Sequence, residues 1–134
     1  MIPSPFRGSF ELPATSSTVF AHLTIAGLLT LWWPEGAETD PVPGGSYHFW
    51  WDGPGWHLRG NYLEVEPPER LVYTWKWDHE ELPPRRVAIA LSVAGSGTTR
   101  LDIEHDAGSE DELQGYAEGW EFFLSQLREV LVSP

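Results

Sequence analysis

The sequence predicts an α+β domain in which an antiparallel meander of strands packs against one long C-terminal helix, with two short helices after the first strand. Three observations lead there. Apolar residues alternate with period two through the middle of the chain, from Ser46 to His105. The final stretch, "SEDELQGYAEGWEFFLSQLREVLV" at 109–132, instead repeats its apolar residues at helical spacing. Short turn signals, "DGPG", "EPPER" and "AGSGT", separate the alternating runs, so consecutive runs fold back on one another.

Phe6–Leu12 is the first strand. The hydroxyl-rich "PATSSTVFAHLT" at 13–24 supplies capping groups before Val19, Phe20 and Leu23, which recur at helical spacing, so a short helix follows. Thr24 caps a second short helix in which Leu28, Leu31 and Trp32 share a face and which Pro34 stops. "PEGAETDPVPGG" at 34–45 reads as a loop.

Tyr47, Phe49 and Trp51 then alternate with Ser46, His48 and Trp50, a strand with one aromatic face. Trp56–Glu66 is its return strand. Gly60 within it marks a bulge or a close backbone approach, and a bulge there decides which of Tyr62 and Leu63 faces inward. Leu71, Tyr73, Trp75 and Trp77 lie opposite Val72, Thr74 and Lys76. Val87, Ile89, Leu91 and Val93 repeat the pattern, as do Leu101, Ile103 and His105.

In the last helix Ser109 is the cap and Glu112, three residues on, its reciprocal partner. Leu113, Tyr116, Ala117, Trp120, Phe123, Leu124, Leu127 and Leu131 form one stripe that lies on the sheet. Gly115 and Gly119 each cost about 1 kcal/mol relative to alanine in a helix interior, which implies a structural reason such as close approach of another element. Trp50 and Phe122 fall off the inner faces.

The totals bound the function. At 134 residues the chain is one domain, 1–134, able to bury a substantial core. Its formal charge of −12 repels a phosphate backbone, so nucleic acid is not an expected partner. Cysteine is absent, which removes disulfides and thiolate chemistry and suits a reducing cytoplasm. The start lacks the pattern of a secretory signal, and the longest apolar run, "IAGLLTLWW" at 25–33, falls far short of a membrane span. A cytoplasmic protein without membrane insertion is expected.

Eight of the residues are tryptophan, and "YHFWWDGPGWHLRG" at 47–60 holds three of them beside a tyrosine and a phenylalanine. Together with "LLTLWWP" (28–34), "GGSYHFWW" (44–51), "GNYLEVEPPERLVYTWKW" (60–77), "GTTRLDIEH" (97–105) and "YAEGWEFFLSQL" (116–127), this stretch carries a resemblance over nearly the full chain. The sequence is similar to the START and birch-pollen-allergen-like superfamily, often called SRPBCC. Within it, the sequence resembles the branch named after the activator of the heat-shock protein 90 ATPase. The resemblance implies a helix-grip fold, a curved sheet wrapped around the long helix, with a cavity between them that opens near the short helices. On that reading Tyr47, Phe49, Trp51, Trp56, Tyr73, Trp75, Trp77, Ile103 and His105 from the sheet converge with Tyr116, Trp120, Phe123 and Leu124 from the helix. Trp32 and Trp33 stand at the mouth. The same spacings serve equally as plain aromatic core.

Motif chemistry is otherwise sparse. There is no nucleophile elbow, zinc-protease helix, phosphate loop or dinucleotide fingerprint, and no cofactor is expected. The five histidines show no metal-ligand spacing. "HDAGSEDE" at 105–112 does not match a calcium loop, and its carboxylates suit the positive end of the helix, so no metal is expected. His105, turned inward, is either a cavity acid or base or the polar end of a strand. Tyr73 offers a phenol to a ligand or to backbone. Arg59 is a solvated arginine or a partner for an acidic ligand group. The leading expectation is a protein that binds a hydrophobic or aromatic small molecule. The alternatives are a polyketide cyclase or aromatase using His105 or Tyr73, and a protein-interaction role as homodimer or chaperone partner through Trp50 and Phe122.

Overall fold

A computed structural model describes residues 4–132. In it the chain runs β1 (Phe6–Leu12), α1 (Ser16–Thr24), α2 (Ala26–Leu29), β2 (Gly36–Thr39), β3 (Ser46–Trp51), β4 (Trp56–Glu66), β5 (Arg70–Trp77), β6 (Arg85–Gly95), β7 (Thr98–His105) and α3 (Glu110–Val132). The strands form one seven-stranded sheet in the order β1-β7-β6-β5-β4-β3-β2. Every described pairing is antiparallel. The helix pair carries the chain from one sheet edge, β1, to the other, β2, and α3 covers the inner face of the curved sheet.

Alternation puts Tyr47, Phe49, Leu58, Leu71, Ile89 and Ile103 into one buried layer. Against it α3 buries Trp120, Leu124 and Leu127. The start of α3 is tied as its sequence implies: Ser109 Oγ accepts from the Glu112 amide at 3.1 Å. Glu112 Oε2 in turn accepts from the Gly108 amide at 3.1 Å, one residue before the cap.

Four expectations are corrected. The 34–45 segment is no simple loop, because Gly36–Thr39 pair with Tyr47–Trp50 as an edge strand. Its signal was hidden by lack of alternation and by Gly36, where a Cβ would lie 2.0 Å from the Trp50 indole that covers it. Trp50 thus packs across the outer face onto its neighbour strand. Thr24 does not cap α2: its hydroxyl donates to the Phe20 carbonyl at 2.9 Å, and α2 is a single turn begun by Ile25. With the helix ending at Leu29, Leu31 leaves the shared face and is 57% exposed. Val93, 82% exposed, lies on a β6 extension that runs past the buried layer.

At Gly60 the close-approach alternative holds. A Cβ there would stand 2.0 Å from the Thr74 carbonyl, and the Tyr47 ring occupies the remaining space. The Tyr47 hydroxyl donates to that carbonyl at 2.5 Å. The register shift falls further on, between Tyr62 and Glu64, which buries Tyr62 and exposes Leu63.

Candidate functional site

A pocket of about 380 Å³ lies between the first half of α3 and the end of β5, within the size range of small-molecule sites. β5 supplies Trp75 and Trp77 and the following loop Glu80 and Leu82. Trp33 enters from the segment after α2, and α3 contributes Asp111, Glu112, Gly115, Tyr116, Gly119, Trp120 and Phe123.

The two glycines settle why α3 tolerates them. A Cβ at either Gly115 or Gly119 would meet nothing within 4 Å, so no other element approaches closely and that expectation is overturned. Four residues apart, they share a helix face, and their missing side chains leave part of the pocket empty. Gly115→Ala is therefore expected to raise the unfolding free energy in urea by about 0.5–1 kcal/mol. A loss of stability would show that the position is crowded.

The far wall is held by buried polar contacts. Trp120 Nε1 donates to His105 Nδ1 at 3.0 Å. The imidazole is fully buried, stacked flat on Tyr116 at 3.6 Å and edge-on to Trp75 at 4.7 Å. Burial, with the positive charge of Arg85 in addition, pushes its pKa down to about 3. The ring is thus neutral at pH 7 and carries its hydrogen on Nε2, which is buried without a hydrogen-bond partner among the described residues. His105 positions Trp120.

Arg85 grips Glu112 with two parallel bonds of 2.8 and 2.9 Å, and the Tyr116 hydroxyl donates to the same carboxylate at 3.1 Å. Burial alone would raise the Glu112 carboxyl, but the bonds from Arg85 and Tyr116 outweigh it and hold the carboxyl below its usual range. The Tyr116 phenol is pushed up by burial and by Glu112. Gly108 makes room for this clamp, since a Cβ would sit 2.2 Å from the guanidinium.

Trp33 is a partition. On one side its indole lines the pocket; on the other it closes a tyrosine-rich core with Tyr47, Phe49, Tyr62 and Tyr73, where the remaining void is about 10 Å³. That space is at the lower limit for one water. Of the aromatics expected to converge, Trp33, Trp75, Trp77, Tyr116, Trp120 and Phe123 border the pocket. Tyr47, Phe49 and Tyr73 belong to the filled core, and Ile103, His105 and Leu124 are buried beneath the walls. Trp32 is buried with its Nε1 donating to the His22 carbonyl at 3.0 Å. Trp51 braces Trp33 through a 3.2 Å bond from its Nε1 to the Trp33 carbonyl. Trp56, 46% exposed, stacks on His79 outside the pocket.

Neither His105 nor Tyr73 therefore reaches the pocket, and the Tyr73 phenol is driven far above its usual range by burial. Arg59 is paired with Asp78 at 3.1 Å on the exposed face. Among the described residues no group of three or more histidine, aspartate or glutamate side chains could hold a metal ion. No described helix is long and apolar enough to cross a membrane. Glu80, Leu82 and Asp111 went unrecognised in the sequence, the first two because a proline-rich loop has no periodicity. Gly115 and Gly119 did give a signal, as helix-breaking residues in an otherwise strong helix.

Residues 13–132 match the family described as Activator of Hsp90 ATPase homolog 1-like protein. No curated protein sequence matches the chain. Among solved structures, CalU16 from Micromonospora echinospora is 28% identical, with a TM-score of 0.78 over 96% of this chain and 75% of that one. DynU16, from the dynemicin biosynthetic locus, is 21% identical with a TM-score of 0.84, and this chain, 96% covered, spans 47% of it. PFC0360w, an HSP90 activator from Plasmodium falciparum, is 23% identical with a TM-score of 0.78, covering 98% of this chain and 99% of that one.

Proposed function

Given that the chain belongs to the Activator of Hsp90 ATPase homolog 1-like family, we propose that it is a small-molecule binding domain holding a hydrophobic or aromatic ligand between β5 and α3. One observation carries the reading: an aromatic-walled pocket of about 380 Å³ bordered by two helix glycines that have open space above them. A helix selected only for stability gains from alanine at both positions.

Neutral aromatics such as naphthalenemethanol are expected to quench the pocket tryptophans and raise the melting temperature. A ligand at 100 times its Kd stabilises by about 2.7 kcal/mol. Gly119→Leu, whose side chain grows into the open space, should keep the fold and abolish both signals. Equal binding by wild type and Gly119→Leu would move the ligand elsewhere, and silence across a panel of neutral aromatics would end the reading.

A second reading, a protein-interaction role, is favoured by Phe122. It is 57% exposed on α3 and rests only against Phe123 among the ring contacts. The chaperone association named for PFC0360w gives that reading its partner class. Phe122→Ser should then weaken binding to a heat-shock protein 90 chaperone while leaving ligand binding intact. Proton-transfer chemistry by His105 or Tyr73 lacks support from this geometry, since neither side chain borders the pocket.

A further inference from the structure

Resting on the pocket as a ligand site, we propose that its ligand is cationic: a flat aromatic molecule carrying a protonated amine or a fixed positive charge. The charged residues bordering the pocket are Glu80, Asp111 and Glu112, and no lysine, arginine or histidine is among the lining residues. The Lys76 ammonium sits behind the rim, donating to the backbone carbonyls of Trp77 and Glu80. Arg85 neutralises Glu112 from behind. The Glu80 and Asp111 carboxylates make no ion pair among the described residues, so neither is neutralised by direct contact with a cation.

The hydrogen-bond inventory points the same way. The Trp120 N–H is spent on His105 and the Tyr116 hydroxyl on Glu112, so an anionic ligand would find only neutral indole N–H groups to face it. A cation instead meets carboxylates and the indole rings of Trp33, Trp75 and Trp77 that border the pocket. Trp33 and Trp75 are stacked at 5.7 Å, and Trp77 is edge-on to Trp75 at 5.7 Å. Indole is the strongest side-chain partner for a cation among the aromatics. The overall charge of −12 draws cations toward the same mouth.

Three probes with one ring system and three charges test this: naphthylmethylamine, naphthalenemethanol and naphthoate, titrated against the full chain by tryptophan quenching and calorimetry. The amine is expected to bind about tenfold tighter than the alcohol, and the acid at least about tenfold weaker. Raising ionic strength from about 0.01 M to about 1 M shortens the screening length from roughly 30 to 3 Å and should shrink the preference for the amine. The double variant Glu80→Gln, Asp111→Asn should bring the ratio of amine to alcohol affinity, read within the same protein, from about tenfold to near one, with an unaltered melting temperature confirming the fold. Equal affinities for all three probes, or tightest binding of the acid, would overturn the cation preference while leaving the pocket as a ligand site. If the neutral panel also fails to bind, the pocket reading falls with it.

Discussion

Trp120→Ala should destabilise the protein by about 4–5 kcal/mol, lowering the melting temperature by roughly 15 °C. The indole is 3% exposed and packs against Trp33 at 5.4 Å and Trp75 at 5.7 Å between ring centres. Removing a buried ring of that size costs about 3–5 kcal/mol on its own. It also strips the donor from His105 Nδ1, and an unsatisfied buried acceptor adds about 1–3 kcal/mol. The new hole joins the existing pocket, so entering water recovers part of the second term. Trp120→Phe separates the two effects: it keeps most of the packing and loses only the hydrogen bond, for about 1–2 kcal/mol. Urea unfolding of both variants decides the matter. A loss under 2 kcal/mol for Trp120→Ala would mean that α3 is not anchored through this residue.

Acidification should weaken the fold well before the carboxylates titrate, and His105 should be the main cause. Its folded pKa of about 3 lies below the ordinary histidine value, so the unfolded chain takes up the proton first. The stability from the neutral ring is complete above about pH 6.5 and is lost progressively as the pH falls toward 3. Between pH 7 and pH 4.5 the loss should be about 2–3 kcal/mol.

The groups facing the ring are Arg85 from β6 and Tyr116 from α3, with Glu112 beyond them. Arg85 opposes protonation and Glu112 pairs with Arg85, while Tyr116 stays neutral throughout this range. Glu112, held below its usual range, contributes its loss only at lower pH. His48 is lowered too, by partial burial and then by Arg59, and adds a smaller slope in the same direction. His105→Asn supplies a non-titrating acceptor in place of Nδ1. That variant should start less stable at pH 7 and lose about 2–3 kcal/mol less than wild type by pH 4.5. Parallel pH profiles for the two proteins would remove His105 as the cause.

Periodicity in the chain was sufficient for most of the architecture. Alternation from Tyr47 to His105 and the helical stripe from Leu113 to Leu131 are properties of neighbouring residues, and they survive into the sheet and α3 because each element packs one face inward, α3 burying Trp120, Leu124 and Leu127 fully and the rest of its stripe in part. The capping role of Ser109 and Glu112 was likewise local. β2 escaped notice because its four residues do not alternate, and its pairing is decided by the partner strand rather than by its own composition.

The aromatic wealth itself was plain from the sequence, and so was the anomaly of two glycines inside a strong helix. Which rings fill space and which border it was decided by the tertiary structure, because packing density depends on how side chains from distant elements meet. Tyr47, Phe49 and Tyr73 interlock until about 10 Å³ remains, while a pocket of about 380 Å³ bordered by Gly115 and Gly119 on one face of α3 stays open beside Trp75 and Trp77. The acidic rim has the same origin. Glu80 and Asp111 are thirty-one positions apart in the chain, and only the crossing of α3 over the end of β5 sets their charges around one opening.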